Sequence, residues 1–134
     1  MNVGILLITH DNIGTSLLES LHKMLGETLP LTVKVLPIRH ENDPLAFCYH
    51  AENICKSLNK EHGVLILTDL FGATPCNIAC RLIHNCRVRL VSGLNLPMLI
   101  KIMNYSQEDL DSLANRALSG GSQGILDVNS VLNN

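Results

Sequence analysis

Four short apolar runs, rich in valine, isoleucine and leucine, recur along the chain at residues 3–8, 31–36, 64–67 and 88–91. Between them lie segments whose apolar residues follow helical spacing, such as Leu17, Leu21 and Met24 in the first segment. Strands that alternate with helices form right-handed βαβ units, which build parallel sheets. The pattern therefore predicts an α/β fold with a doubly wound, mainly parallel sheet.

The charges within the four runs predict the order of the strands. The first and third runs carry no charge, as expected of strands that helices cover on both faces. Lys34 interrupts the second run, and Arg89 lies within the fourth, so these two strands should be peripheral. The order 2-1-3-4 satisfies these conditions and places strands 1 and 3 side by side at the topological switch point, where open α/β sheets bind ligands.

Local signals predict where several helices begin and end. Asp43-Pro44 and Thr74-Pro75 each combine an N-cap residue with a first-turn proline, and Ser106 is placed to cap a later helix. Gly120-Gly121 is expected to stop that helix. Residues 124–128 then form a short apolar run, which we interpret as a C-terminal fifth strand.

Length and composition restrict the class of protein. The 134 residues fit one domain without a linker or repeat, so we expect a single domain over residues 1–128 and a C-terminal tail over 129–134. The net charge is −2 and the aromatic content is 3%. Nucleic acid is therefore not expected as a partner, because proteins that read it need a basic face and stacking rings.

No feature of the sequence predicts export or membrane insertion. The longest apolar stretches have four to six residues, whereas a membrane-spanning helix needs about 20. The first four residues lack the basic charge of a signal peptide. Five cysteines, an odd number without paired spacing, are typical of free thiols in a reducing compartment. We expect a cytoplasmic protein.

Candidate catalytic residues follow the two central strands. His10 comes directly after the first apolar run, and Asp69 follows the third. A carboxylate that accepts the proton of one ring nitrogen leaves the other nitrogen as a nucleophile. Gly72, Ala73 and Thr74 lead into a helix N-terminus, which favours an anion. This combination suggests phosphoryl transfer through a phosphohistidine; the alternative, that His10 caps a helix and Asp69 only forms a turn, stays open.

Three correctly spaced motifs resemble those of the IIA component (EIIA) of the mannose-type sugar phosphotransferase system. The resemblance covers residues 1–128, and the motifs are specific in combination. They are Thr9-His10 after strand 1, then Asp69 with Gly72, Ala73, Thr74, Pro75 and Asn77, and finally Gly93 with Asn95, Leu96, Pro97 and Met98.

The resemblance implies a function for these residues. His10 would accept a phosphoryl group from the phosphocarrier protein HPr and pass it to a IIB partner, with Asp69 orienting the ring and Thr74 binding the phosphate. No cofactor is expected. The resemblance also implies a homodimer that exchanges a C-terminal strand. Because no IIB domain follows within the 134 residues, a regulatory IIA protein that senses phosphorylation state is the alternative.

A metal site is the other interpretation that the residues allow. Cys76, Cys80 and His84 share one helical face at i, i+4 and i+8, and Cys86 lies nearby as a fourth soft ligand. The alternative, which we favour, is that these are small helix residues that are buried or half-buried. We expect no metal at this position.

Overall fold

The structure, a computed structural model, describes residues 2–40, 43–58, 62–83 and 87–133. Within these ranges the chain forms four strands and six helices. In chain order they are β1 (Gly4–His10), α1 (Ile13–Leu25), β2 (Val33–Ile38), α2 (Pro44–Leu58), β3 (Val64–Thr68), α3 (Thr74–Leu82), β4 (Val88–Ser92), α4 (Leu96–Asn104), α5 (Leu110–Gln123) and α6 (Val128–Leu132).

The four strands form a parallel sheet in the order β2-β1-β3-β4, so the predicted α/β fold and strand order are confirmed. The two central strands are buried along their length, apart from His10 at the end of β1. In the register, Ile8 of β1 pairs with both Leu36 and Thr68. The carboxyl ends of β1, β2 and β3 therefore meet at one edge of the sheet.

Helices cover both faces of the sheet. On one face, Ile5 and Leu7 pack into a core with α1, α4 and α5. On the other, Leu6 and Ile8 pack with α2 and α3. Because side chains alternate along a strand, His10 belongs to the face that α2 and α3 cover. The fold thus places the histidine beside the start of α3.

Two predicted N-cap positions are wrong, one by three residues and the other by one. Asp109, rather than Ser106, is the N-cap of α5, because its side chain accepts a 2.9 Å hydrogen bond from the Ser112 backbone N–H. Thr74 is the first residue of α3, and Ala73 is its N-cap. The Thr74 side chain therefore does not have the expected capping role.

The predicted stop at Gly120-Gly121 is also wrong, because α5 continues to Gln123. Both glycines lie against α4, and a Cβ atom at Gly120 would overlap the Cβ atom of Lys101. A Cβ atom at Gly121 would lie 2.9 Å from Met98 Cε. These glycines permit the two helices to approach closely, and they do not end the helix.

The predicted fifth strand is absent from the described part of the chain. Residues 125–127 belong to no strand, and Val128 begins helix α6. Asp127 is the N-cap, with its side chain accepting from the Ser130 backbone N–H at 3.4 Å. An apolar run pairs as a strand only where a neighbouring strand is available, and a local cap favours a helix here. Helix α6 also spans the expected boundary between residues 128 and 129.

Among the helices that the structure describes, none is long and apolar enough to cross a membrane.

Candidate functional site

His10 and Asp69 are hydrogen-bonded at the carboxyl edge of the sheet. His10 is the last residue of β1, and Asp69 directly follows β3. The distance from His10 Nδ1 to Asp69 Oδ2 is 2.9 Å. The same oxygen accepts the backbone N–H of His10 at 3.1 Å. One carboxylate oxygen therefore fixes both the ring and the main chain of the histidine.

This contact selects the tautomer of the ring. The carboxylate can only accept, so Nδ1 carries the proton and the neutral ring has a lone pair on Nε2. The His10 side chain is 36% exposed, whereas that of Asp69 is 11% exposed. The carboxylate is thus sheltered behind a ring that solvent and a partner can reach.

The chain turns sharply after His10. Asp11 has a φ of 43°, in the left-handed region that residues other than glycine rarely adopt. Its N–H donates to the Ile38 carbonyl at 2.9 Å, and the buried Thr9 hydroxyl accepts the Gly14 N–H at 2.9 Å. These bonds tie the end of β1 to β2 and to α1, so the position of His10 is fixed from both sides.

The predicted phosphate-binding residues form the turn into α3. Gly72 has a φ of 82°, which favours glycine, and Ala73 and Thr74 follow as the N-cap and the first residue of the helix. Thr74 lines the same cleft as His10. The N–H groups of a first helical turn have no partner within the helix, so this end of α3 can receive an anion.

The cleft beside His10 has a volume of about 140 Å³ and includes residues that the sequence interpretation missed. Arg39 and His40 follow the end of β2, which lies next to β1. The sequence interpretation considered the residues that directly follow β1 and β3. The same consideration of the residues that follow β2 would have found these two. The lining residues are His10, Asp11, Ile38, Arg39, His40, Pro44, Phe47 and Thr74.

The second carboxylate oxygen of Asp69 is buried and has no hydrogen-bond partner among the described residues. The same holds for the hydroxyl oxygens of Thr68 and Ser92, which are register partners on β3 and β4. Asp69 Oδ1 can therefore accept a further hydrogen bond, whereas Oδ2 is bound to His10.

The metal-site interpretation lies partly outside the described residues, because His84 and Cys86 are not among them. Cys76 is buried and Cys80 is exposed on α3. Although Cys80 is exposed, partial loss of hydration raises the pKa of its thiol, and the neighbouring Cys76 thiol raises this pKa further. A raised pKa disfavours the thiolate that binds metals. The residues that the structure describes contain no group of three or more metal-ligating side chains.

Comparisons with known proteins agree with the geometry. The sequence model of the family described as "PTS system fructose IIA component" matches residues 4–118. The PTS system fructose-specific EIIA component of Bacillus subtilis (strain 168) is 29% identical over 106 residues, which are 78% of this chain and 71% of that protein. The mannose-specific EIIAB component of Escherichia coli (strain K12) is 27% identical over 128 residues.

The chain covers only 39% of the E. coli protein, although the match includes 93% of this chain. Among solved structures, the mannose/sorbose specific IIA subunit of the phosphotransferase system from Enterococcus faecalis has a TM-score of 0.83 at 26% identity. That match covers 94% of both chains. The motifs, the sheet order and these matches agree, and the chain belongs to the fructose/mannose-type IIA (EIIA) family of the sugar phosphotransferase system.

Proposed function

We propose that this protein is a histidine phosphocarrier, which accepts a phosphoryl group from phospho-HPr on His10 and passes it to a IIB partner in sugar uptake. The observation that carries the proposal is the 2.9 Å hydrogen bond between His10 Nδ1 and Asp69 Oδ2. It gives the ring the tautomer that a nucleophilic histidine needs, at the edge where parallel sheets bind ligands. No cofactor is required.

Each transfer exchanges one nitrogen–phosphorus bond for another. The lone pair on His10 Nε2 attacks the phosphorus atom of the donor phosphohistidine, and the donor nitrogen leaves with the bonding electron pair. No net proton transfer is needed, because the His10 proton stays on Nδ1. The phosphorylated ring then carries a positive charge, which the Asp69 carboxylate stabilises.

In this proposal the turn into α3 holds the phosphoryl oxygens. Unpaired N–H groups and the dipole of the nine-residue helix favour an anion at its N-terminus. The exposed Thr74 hydroxyl lacks a capping bond and can donate to the same group. Gly72 and Ala73 shape the turn so that the backbone can approach the phosphoryl group closely.

Apolar residues beside the site support a protein as donor and acceptor. Leu70 and Phe71, directly after Asp69, are 61% and 80% exposed. Large exposed apolar side chains mark interaction surfaces when they lie together. A folded phosphocarrier that docks here would cover them and bring its phosphohistidine to His10.

We also propose that the protein is a homodimer assembled through its C-terminal segment. Five apolar residues of this segment are exposed, and a second copy would remove them from water. They are Ile125, Leu126, Val128, Val131 and Leu132. The segment is a loop and a short helix here, so the proposal does not depend on the strand predicted from the sequence.

The remaining parts of the proposal concern location and domain organisation. Cys48, Cys76 and Cys80 are free thiols, which suits a reducing compartment such as the cytoplasm. Residues 1–128 are proposed as the EIIA domain, with the remaining residues as its tail.

The proposal is tested by incubating the protein with phosphoenolpyruvate, enzyme I and HPr. We expect one acid-labile, base-stable phosphate for each chain, and none in His10→Ala. His22→Ala removes another histidine, which is half-buried on α1, and serves as the control that should be labelled normally. Labelling of His10→Ala at the wild-type rate would show that the nucleophile is elsewhere.

A second step separates transport from regulation. Phosphorylated protein is mixed with purified mannose-type IIB components, and loss of its label is followed. Transfer within seconds supports the phosphocarrier role. A phosphate that is accepted from HPr but passed to none of these components favours the regulatory alternative.

A further inference from the structure

Arg39 is the only arginine or lysine among the described residues that line the His10 cleft. It follows Ile38, the last residue of β2, and the sheet register pairs Ile38 with His10. Arg39 therefore lies one residue beyond the level of the histidine on the neighbouring strand. Arg39 and a group bound to His10 therefore border the same cleft, which has a volume of about 140 Å³.

Asn12 holds this arginine instead of capping a helix. It is the N-cap residue of α1, a position whose side-chain oxygen ordinarily accepts an N–H from the first turn. Here it forms no capping bond, and its Oδ1 accepts a 3.1 Å hydrogen bond from Arg39 Nη2. The guanidinium is thus bound by a neutral partner, which holds it less strongly than a carboxylate would.

The charges around the cleft indicate that the Arg39 guanidinium can balance the negative charge of a phosphoryl group. Asp11 lines the cleft, and Asp69 is bonded to His10. A phosphoryl group adds about −1.5 to −2 of charge, whereas a helix N-terminus offers only about +0.5. Among the described lining residues, Arg39 is the one permanent full positive charge, because an arginine stays protonated.

We propose that Arg39 is the cationic half of a phosphoryl-binding site. When a phosphoryl group reaches His10 Nε2, the guanidinium leaves Asn12 and donates hydrogen bonds to phosphoryl oxygens, opposite the N-terminus of α3. This inference rests on the proposed function and names a further residue of its site. Arg39 forms and breaks no covalent bond; its planar fork stabilises the charge on the oxygens during transfer.

The test compares single-turnover phosphorylation from two donors, phospho-HPr and the small molecule phosphoramidate. Arg39→Ala should slow phosphorylation about tenfold or more with both donors, below the roughly 100- to 1,000-fold loss known for a buried oxyanion donor. Arg39→Lys should be intermediate, because it keeps the charge without the fork. Arg89→Ala is the matched control, since Arg89 pairs with Asp111 outside the cleft.

A second variant keeps Arg39 and strengthens the contact that residue 12 makes with it. Asn12→Asp gives the guanidinium a charged partner, so release becomes harder and phosphorylation should slow several-fold. The same substitution should have a smaller effect when Arg39 is already alanine, because the two residues then no longer interact. Thermal unfolding of each variant shows whether a slow protein is still folded.

The outcomes distinguish this inference from the proposed function. If wild type and Arg39→Ala are labelled by phosphoramidate at equal rates, the inference is overturned while the phosphocarrier role stands. The same holds if only transfer from phospho-HPr slows, because Arg39 would then contact the donor protein and not the phosphoryl group. If neither donor labels the wild-type protein, the proposed function fails and this inference fails with it.

Discussion

Asp69→Asn tests the role of the carboxylate behind His10 with the smallest possible change. The substitution keeps the shape of the side chain and removes its charge. Asp69 Oδ2 accepts both the His10 backbone N–H at 3.1 Å and the Nδ1 proton at 2.9 Å. The backbone donor needs an oxygen at that position, so the asparagine should place its carbonyl there and its NH₂ group at the Oδ1 position. We therefore expect the ring to keep its proton on Nδ1.

The expected loss of transfer rate in Asp69→Asn follows from removing the charge of the side chain while the ring keeps its tautomer. A hydrogen bond to a charged acceptor contributes about 1.5–3 kcal/mol, and a neutral one about 0.5–1.5 kcal/mol. The difference is about 1–1.5 kcal/mol, which corresponds to a roughly tenfold slower transfer. A forced change of tautomer costs far more, about 10⁴-fold in a serine protease whose orienting aspartate becomes asparagine. We predict a loss near tenfold.

Rapid-quench phosphorylation by phospho-HPr measures the rate, and ¹⁵N NMR of the His10 ring reports which nitrogen carries the proton. Asp111→Asn is the control, since it removes one carboxylate whose side chain is 75% exposed on α5. A wild-type rate in Asp69→Asn would remove the carboxylate charge from the mechanism. A loss near 10⁴-fold with the proton on Nε2 would refute the argument from the backbone donor.

Three further predictions concern other parts of the molecule. Gly120→Ala should lower the free energy of unfolding by about 1–3 kcal/mol in denaturant titrations, because the new methyl group overlaps α4; a more stable variant would contradict the packing. Cys76→Ser and Cys80→Ser should each be phosphorylated at wild-type rates, and loss of labelling would show a role for a thiol. Ile125→Asp with Leu132→Asp should halve the mass measured by light scattering, and a wild-type protein with the mass of one chain would contradict the dimer.

The sheet could be predicted from the sequence because its signals are local and redundant. Strand order followed from the absence of charge in the central runs and from Lys34 and Arg89 in the outer ones. Once that order is known, His10 and Asp69 must emerge at neighbouring strand ends. The topology makes the two residues neighbours, and the structure adds the hydrogen bond between their side chains, which the sequence had left open.

Two errors near the C-terminus concern segments whose structure depends on which neighbouring elements are present. Gly120 and Gly121 resemble a helix stop until α4 is placed against them. The apolar residues 124–128 resemble a strand only if a partner strand is present, and Asp127 instead begins a helix. Arg39 was missed for a different reason, since it follows an outer strand whose end was not considered as part of the site.

The site distributes opposite charges on the two sides of one imidazole ring. The Asp69 carboxylate contacts Nδ1, so its negative charge is separated by the ring from a phosphoryl group on Nε2. The groups that we propose to stabilise the phosphoryl anion, the α3 N-terminus and Arg39, border the cleft that also includes the acidic Asp11. In the proposed function the protein must both accept and release a phosphoryl group, so the groups around the ring should not bind it too strongly. An arginine restrained by the neutral Asn12 fits that requirement, because it can exchange partners as the group arrives and leaves.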